Sequence, residues 1–203
     1  MNENPIVTID FEESQKLADL GAIVHDLDFT MQTCSRLKVL LKENPKDNIL
    51  IDNMWTAALI RYARCFASGK RYGLSKAIFD GLNGEPFKAH KMYIDLRDKH
   101  IAHSVNPFEQ MKVGLMLSPV GNNEKKVVGV ATLSIRLASL DVDGVHQLGM
   151  LSKVLLEKVC ARAKEYEQKV LKIAKNIPVD ELYNRPRLRI TVPGSELADK
   201  PRV

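Results

Sequence analysis

Cysteine is scarce in this chain: three among 203 residues, scattered at Cys34, Cys65 and Cys160. An odd and widely spaced set builds no disulfide framework, and no CxxC pair suggests a zinc site. Each lies in an apolar helical context and reads as a small buried hydrophobe. Long apolar runs are missing as well. No stretch of about 18 apolar residues exists, so no membrane-spanning helix is expected. The opening MNENPIVTIDFEES lacks the basic start and apolar run of a secretory signal. There is no Walker-type loop, no GxGxxG after a strand, no HExxH and no GxSxG elbow, which removes the common signatures of nucleotide hydrolysis, dinucleotide binding, zinc proteolysis and serine hydrolysis. Gly81 to Gly84 reads as a turn rather than a phosphate cradle. No repeat or low-complexity tract is present. These absences lead to the expectation of a soluble cytoplasmic protein with no metal, no cofactor and no membrane partner.

What is present suits one domain with a small extension. Apolar residues make up 45% and charged residues 27%, enough for a sizeable core without disulfides. The net charge of +5 and pI near 9.0 permit a phosphate-rich partner without demanding one.

Along the chain, residues 1–10 form a polar lead-in with a short extended piece at Ile6 to Ile9. Asp10 suits an N-cap, and Glu12 and Glu13 follow where the helix dipole favours acids. Leu17, Leu20, Val24, Leu27, Met31, Cys34, Leu37 and Leu41 recur at helical spacing over about 11–43. A second helix is expected from Asp52 to Ala67, with Trp55, Leu59, Tyr62 and Phe66 on one stripe and Gly69 at its end. A short helix follows over 74–82. Another starts at Glu85-Pro86 and runs through His103. Then the period changes. Alternation over about 112–118 and Val-, Ile- and Thr-rich sequence over 126–137 predict a β-hairpin. A long amphipathic helix over about 145–176 carries Leu148, Leu151, Leu155, Val159, Ala163, Tyr166, Val170 and Ile173. Its stripe reads as core, with a dimer seam as the alternative. The tail, 179–203, is partly extended, and its prolines argue against much regular structure. The expected fold is mainly α: a helical bundle, 11–178, with a β-hairpin inserted before the last long helix.

The chemistry concentrates in Leu96-Arg97-Asp98-Lys99-His100-Ile101-Ala102-His103-Ser104. Histidine moves protons near neutral pH, and arginine holds a phosphate through parallel hydrogen bonds. A histidine can take the proton of a ribose 2′-hydroxyl as that oxygen attacks the adjacent phosphate. An arginine offsets the charge that builds on the phosphate oxygens. DNA, lacking the 2′-hydroxyl, resists this route. On an ideal helix, Arg97 and His103 stand roughly 120° apart, so spacing alone does not make them converge. The plainer reading is a solvated helix end, with Lys99 and His100 favouring the C-terminal dipole. A metal site from His90, His100 and His103 has no supporting carboxylate or cysteine at fitting spacing. His25 and His146 are isolated.

This segment resembles the signature of HEPN domains (higher eukaryotes and prokaryotes nucleotide-binding): an arginine, a polar residue, and a histidine a few residues on, here with five residues between Arg97 and His103. Ala58-Leu59-Ile60-Arg61-Tyr62-Ala63-Arg64-Cys65-Phe66 with Gly69-Lys70-Arg71 is similar to the bacterial HEPN-like group associated with abortive infection. The likeness spans about 11–176. It implies a helical bundle and a metal-independent endoribonuclease acting as a homodimer, in a toxin–antitoxin, phage-defence or RNA-processing setting. It implies His103 as the catalytic histidine, Arg97 as the phosphate-stabilising arginine and Asp98 as the polar orienting residue. His100 is extra to the motif. The hairpin is extra to the minimal family fold.

Arg61 and Arg64, a helical turn apart, are candidates for binding RNA backbone. The alternative is that one pairs with Asp52, Asp80 or Asp95 inside the bundle. Lys70 and Arg71 are a further candidate basic patch. RNA, a second copy and an antitoxin protein are the expected partners. The rival function is a non-catalytic helical module that binds a partner protein or nucleic acid, with a nucleotide-binding protein as a third reading.

Overall fold

The computed structural model describes residues 4–43, 47–67, 69, 72–103, 107–121, 124–198 and 200. It is mainly helical, with a two-stranded antiparallel hairpin before the last long helix, as the periodicities predict. In order, the elements are α1 (Glu12–Lys42), α2 (Asn48–Arg64), a 3-10 turn (Lys76–Phe79), α3 (Pro86–Leu96) continued by a π-helical turn (Arg97–Ala102), β1 (Glu109–Leu117), β2 (Val127–Arg136), α4 (Val142–Ala174) and α5 (Val179–Tyr183), with a final 3-10 turn at Ser195–Leu197. Among the described residues, no helix is long and apolar enough to cross a membrane.

The chain divides into two compact units, Asp19–Ala163 and the combination of Met1–Ala18 with Lys164–Val203. In the larger unit the buried stripe of α1 is Leu20, Ile23, Leu27, Thr30, Cys34 and Leu37. Asp19, Asp26 and Thr33 are buried beside it, so the buried face is centred toward Ile23 and Thr30, and Val24 and Met31 of the expected stripe are only half-buried. From α2 come Trp55, Leu59 and Tyr62, and from α4 come Leu148, Leu155 and Val159, all fully buried. Trp55, Tyr62 and Tyr93 meet edge-on, with Tyr93 6.4 Å from Trp55 and 6.1 Å from Tyr62. Each such pair is worth about 0.5–1.5 kcal/mol beyond its buried area. The Tyr93 hydroxyl donates at 2.8 Å to the Gly144 carbonyl, which ties α3 to the first turn of α4.

Two boundaries shift for local reasons. α2 starts earlier than the expected Asp52 because the Asp47 carboxylate accepts from the Leu50 N–H at 2.9 Å, an N-cap bond. The expected helix over 74–82 is one 3-10 turn. Asp80 leaves it with extended backbone, and Gly81 follows at φ +74, a conformation that glycine takes without penalty. Cys34 and Cys65 are buried and Cys160 is half-buried. Burial pushes the Cys34 thiol up to about 12, so it stays protonated and inert.

In the smaller unit, the extended piece near Ile6 and the tail meet. Val7 and Arg187 form an antiparallel bridge, flanked by Thr8 N–H to Pro186 O and Leu188 N–H to Ile6 O, both 2.9 Å.

Candidate functional site

α3 begins at Glu85-Pro86, where proline occupies the first turn without losing a helical hydrogen bond. Its core contacts are Tyr93 and Leu96. After Leu96 the helix widens. Residues Arg97–Ala102 follow the π pattern, with each N–H reaching back five residues, and His103 ends the turn at φ −129. Such single widened turns recur at functional sites, because they re-aim the side chains they carry.

Here the widening separates the two histidines. His100 is the buried residue of the turn, 4% exposed. Its Nε2 lies 3.1 Å from the Leu137 carbonyl oxygen. A carbonyl only accepts, so Nε2 donates in this contact, and the buried Nδ1 has no hydrogen-bond partner among the described residues. The ring also meets Phe108 edge-on at 6.0 Å. Phe108 and Leu137 flank the hairpin and are joined by the Leu137 N–H to Phe108 O bond at 2.9 Å. His100 therefore fastens the end of α3 to the hairpin base. His103, three residues on, is exposed and makes no hydrogen bond among the described residues.

Arg97 is half-exposed. Its Nε lies 2.9 Å from Asp98 Oδ1, yet the N–H is not aimed at that oxygen and makes no hydrogen bond. The contact between these sequence neighbours is therefore Coulombic, and a partly solvated pair of this kind holds weakly. Lys99 pairs with Asp95 at 3.0 Å, one helical turn back.

Arg61 and Arg64 are engaged elsewhere. Both reach Asp26 of α1, whose side chain is 1% exposed. Arg61 Nη1 lies 3.3 Å from Asp26 Oδ1, Arg64 Nε donates to Oδ2 at 2.6 Å, and Arg64 Nη2 also contacts the carboxylate. Arg61 stacks over the Phe29 ring at 4.1 Å as well. The two arginines thus join α2 to α1. The acid is Asp26 rather than Asp52, Asp80 or Asp95. Asp52 instead meets Arg136 at 3.2 Å, another tie to the hairpin base. Lys70 and Arg71 fall outside the described residues.

Sequence reasoning passed over Asp26, and met His90 only in a metal reading that it set aside. Asp26 had a signal: an acid three residues after Ile23 and one before Leu27, on the buried stripe. His90 sits among Phe66, Phe79 and Phe87, with ring centroids 4.2–5.7 Å away. Tyr62 Oη lies 3.1 Å from its Nδ1. Burial depresses its pKa to about 4, so it is neutral at physiological pH. Among the described residues, no group of three or more His, Cys, Asp or Glu is placed to hold a metal ion.

No family model, curated protein or solved structure matches the chain.

Proposed function

We propose that the chain is a metal-independent endoribonuclease of HEPN type, working as a homodimer in a toxin or phage-defence setting, with RNA as substrate and an antitoxin protein as a further partner. The observation that carries this reading is the makeup of segment 97–103. Arg97, Asp98 and His103 stand at the signature spacing on the solvent-facing end of α3, and with His100 turned inward His103 is the free imidazole of the segment.

The chemistry follows from those groups. His103 takes the proton of a ribose 2′-hydroxyl as its oxygen bonds to the adjacent phosphorus. The bond from phosphorus to the 5′-oxygen breaks, and that oxygen takes a proton from solvent water and leaves as a hydroxyl, while His103 returns its own proton to solvent. The products are a 2′,3′-cyclic phosphate and a 5′-hydroxyl end. Arg97 exchanges its weak contact with Asp98 for the phosphate and offsets the charge that develops there. Asp98 orients the guanidinium before RNA arrives.

A second reading has its own support. Arg61 and Arg64 are already committed to Asp26, and Arg97 already has an acidic neighbour. That pattern suits a non-catalytic helical module that binds a partner protein or nucleic acid.

Cleavage of a broad RNA panel in excess EDTA separates the two. The expected result is cutting by the wild type that leaves 2′,3′-cyclic phosphate ends, with His103→Ala and Arg97→Ala each slower by about a hundredfold or more. No cutting by a folded wild type moves the assignment to the binding module. Equal cutting by all three proteins places the activity outside this segment.

A further inference from the structure

The hairpin is the least buried element of the larger unit. Alternation along β1 puts Met111, Val113, Leu115 and Leu117 on one face, and the register adds Val127 and Val130 of β2 to that face. These six side chains are 74, 72, 67, 67, 59 and 65% exposed, respectively. Together they present roughly 600 Å² of apolar surface, at the top of the range for the largest patch on a soluble monomer. A standard stable interface buries about 800 Å² per partner, and this face with its rim is of that size. Two strands alone are at best marginally stable in water, so an uncovered pair of this length is incomplete.

The distribution of charge selects the occupant. The only charged residues on this face are Glu109 and Arg136, which lie opposite one another at the hairpin base. From Met111 to the far end of β1 the face carries none. Lys112 and Gln110 belong to the opposite face, which also exposes Met116, Leu133 and Ile135 and so is apolar as well, but carries a charge within it. A charge-free apolar face is complementary to itself and meets no repulsion from a copy of itself, which is what a two-fold isologous contact requires. The base is also held firmly, by His100 to Leu137 and by Arg136 to Asp52, so little ordering is left to the docking step.

We propose that the Met111–Leu117 face of the hairpin packs against the same face of a second copy, forming a two-fold interface of stacked two-stranded sheets. This gives the homodimer of the proposed function its contact face and rests on that part of the reading alone, not on RNA cleavage.

Sedimentation velocity of the full chain at micromolar concentration tests it. The wild type is expected to be a dimer. Replacing Val113→Lys together with Leu115→Lys is expected to weaken self-association by about a hundredfold or more, because the dimer would bury unpaired ammonium groups. Both positions are exposed in the single chain, so helical circular dichroism should be unchanged. Leu133→Lys, on the opposite face, should leave the dimer intact. A monomeric wild type, or a double variant that dimerises like the wild type, overturns the proposal. Should the double variant misfold, Leu115→Cys treated with a short bis-maleimide decides. A cross-link mapped to position 115 of both copies supports the interface, and its absence in a dimeric sample overturns it. RNA cleavage does not enter either readout, so failure of the nuclease reading leaves this result standing.

Discussion

Arg61 and Arg64 close α2 on a carboxylate that water does not reach, whereas Arg97 closes α3 beside a carboxylate that is itself 45% exposed. The first pair of cations makes direct hydrogen bonds to both oxygens of Asp26. The second makes a charge contact with no aligned hydrogen bond. The residue type and the helix-end position are the same, and the environments are opposite. A buried acid binds its arginines permanently, because releasing them strands a charge in the interior. A partly exposed neighbour holds its arginine loosely, because water reaches the carboxylate and part of the arginine side chain, although the Nε itself is shielded. Of the three, Arg97 is therefore the one that can leave its acid, as the proposed phosphate contact requires, while Arg61 and Arg64 hold two helices together.

Neutralising the two acids breaks this comparison most directly. Asp26→Asn should cost about 3 kcal/mol in urea unfolding, the lower end for breaking a buried pair, since both arginines retain a route to solvent. Asp98→Asn should change stability by no more than about 0.5 kcal/mol. Equal costs would mean that Asp98 is as much a structural anchor as Asp26.

The histidines repeat the contrast at a smaller scale. His100→Ala removes a buried donor to the Leu137 carbonyl and leaves that acceptor unpaired, which should cost about 1–3 kcal/mol. Hydrogen exchange should quicken first at the hairpin base, at the amides of Leu137 and its neighbours, and later in α1 and α2. His103→Ala, at an exposed position, should leave exchange unchanged throughout.

The last contrast concerns pH. His90 has its folded pKa depressed to about 4 from an ordinary value near 6.5. Between those values the unfolded chain binds a proton that the folded chain excludes, so its contribution is complete above about pH 6.5 and is lost as pH falls toward 4. Melting temperature should drop across that window, and His90→Asn should flatten the drop. An unchanged slope would assign the acid sensitivity to other groups.

Much of the architecture was legible in the residues. The helical periods of α1, α2 and α4, the proline at the start of α3 and the alternation around Val113 and Val130 each depend on neighbours a few positions away, and each element appeared where its period predicted. Local capping set the exact ends, as at Asp47, and a positive-φ glycine cut the short helix over 74–82 to a single turn. The candidate site was legible only as a spacing. An ideal helix gives no reason for His100 and His103 to differ in exposure as they do, and the π turn that accompanies the difference packs His100 against residues on both sides of the hairpin.

The sequence by itself determined which segments are helix and which are strand, and it placed an arginine, an acid and a histidine in one short stretch. Those outcomes rest on short-range sterics and on the burial of apolar stripes, both written within a few residues of each position. Only the tertiary structure decided that Asp26 captures Arg61 and Arg64 across 35 and 38 positions, that His100 faces Leu137, and that His103 is left to the solvent. Such choices depend on which distant groups share the interior. An unpaired charge or an unpaired N–H donor there is costly enough to favour partners that no local pattern names.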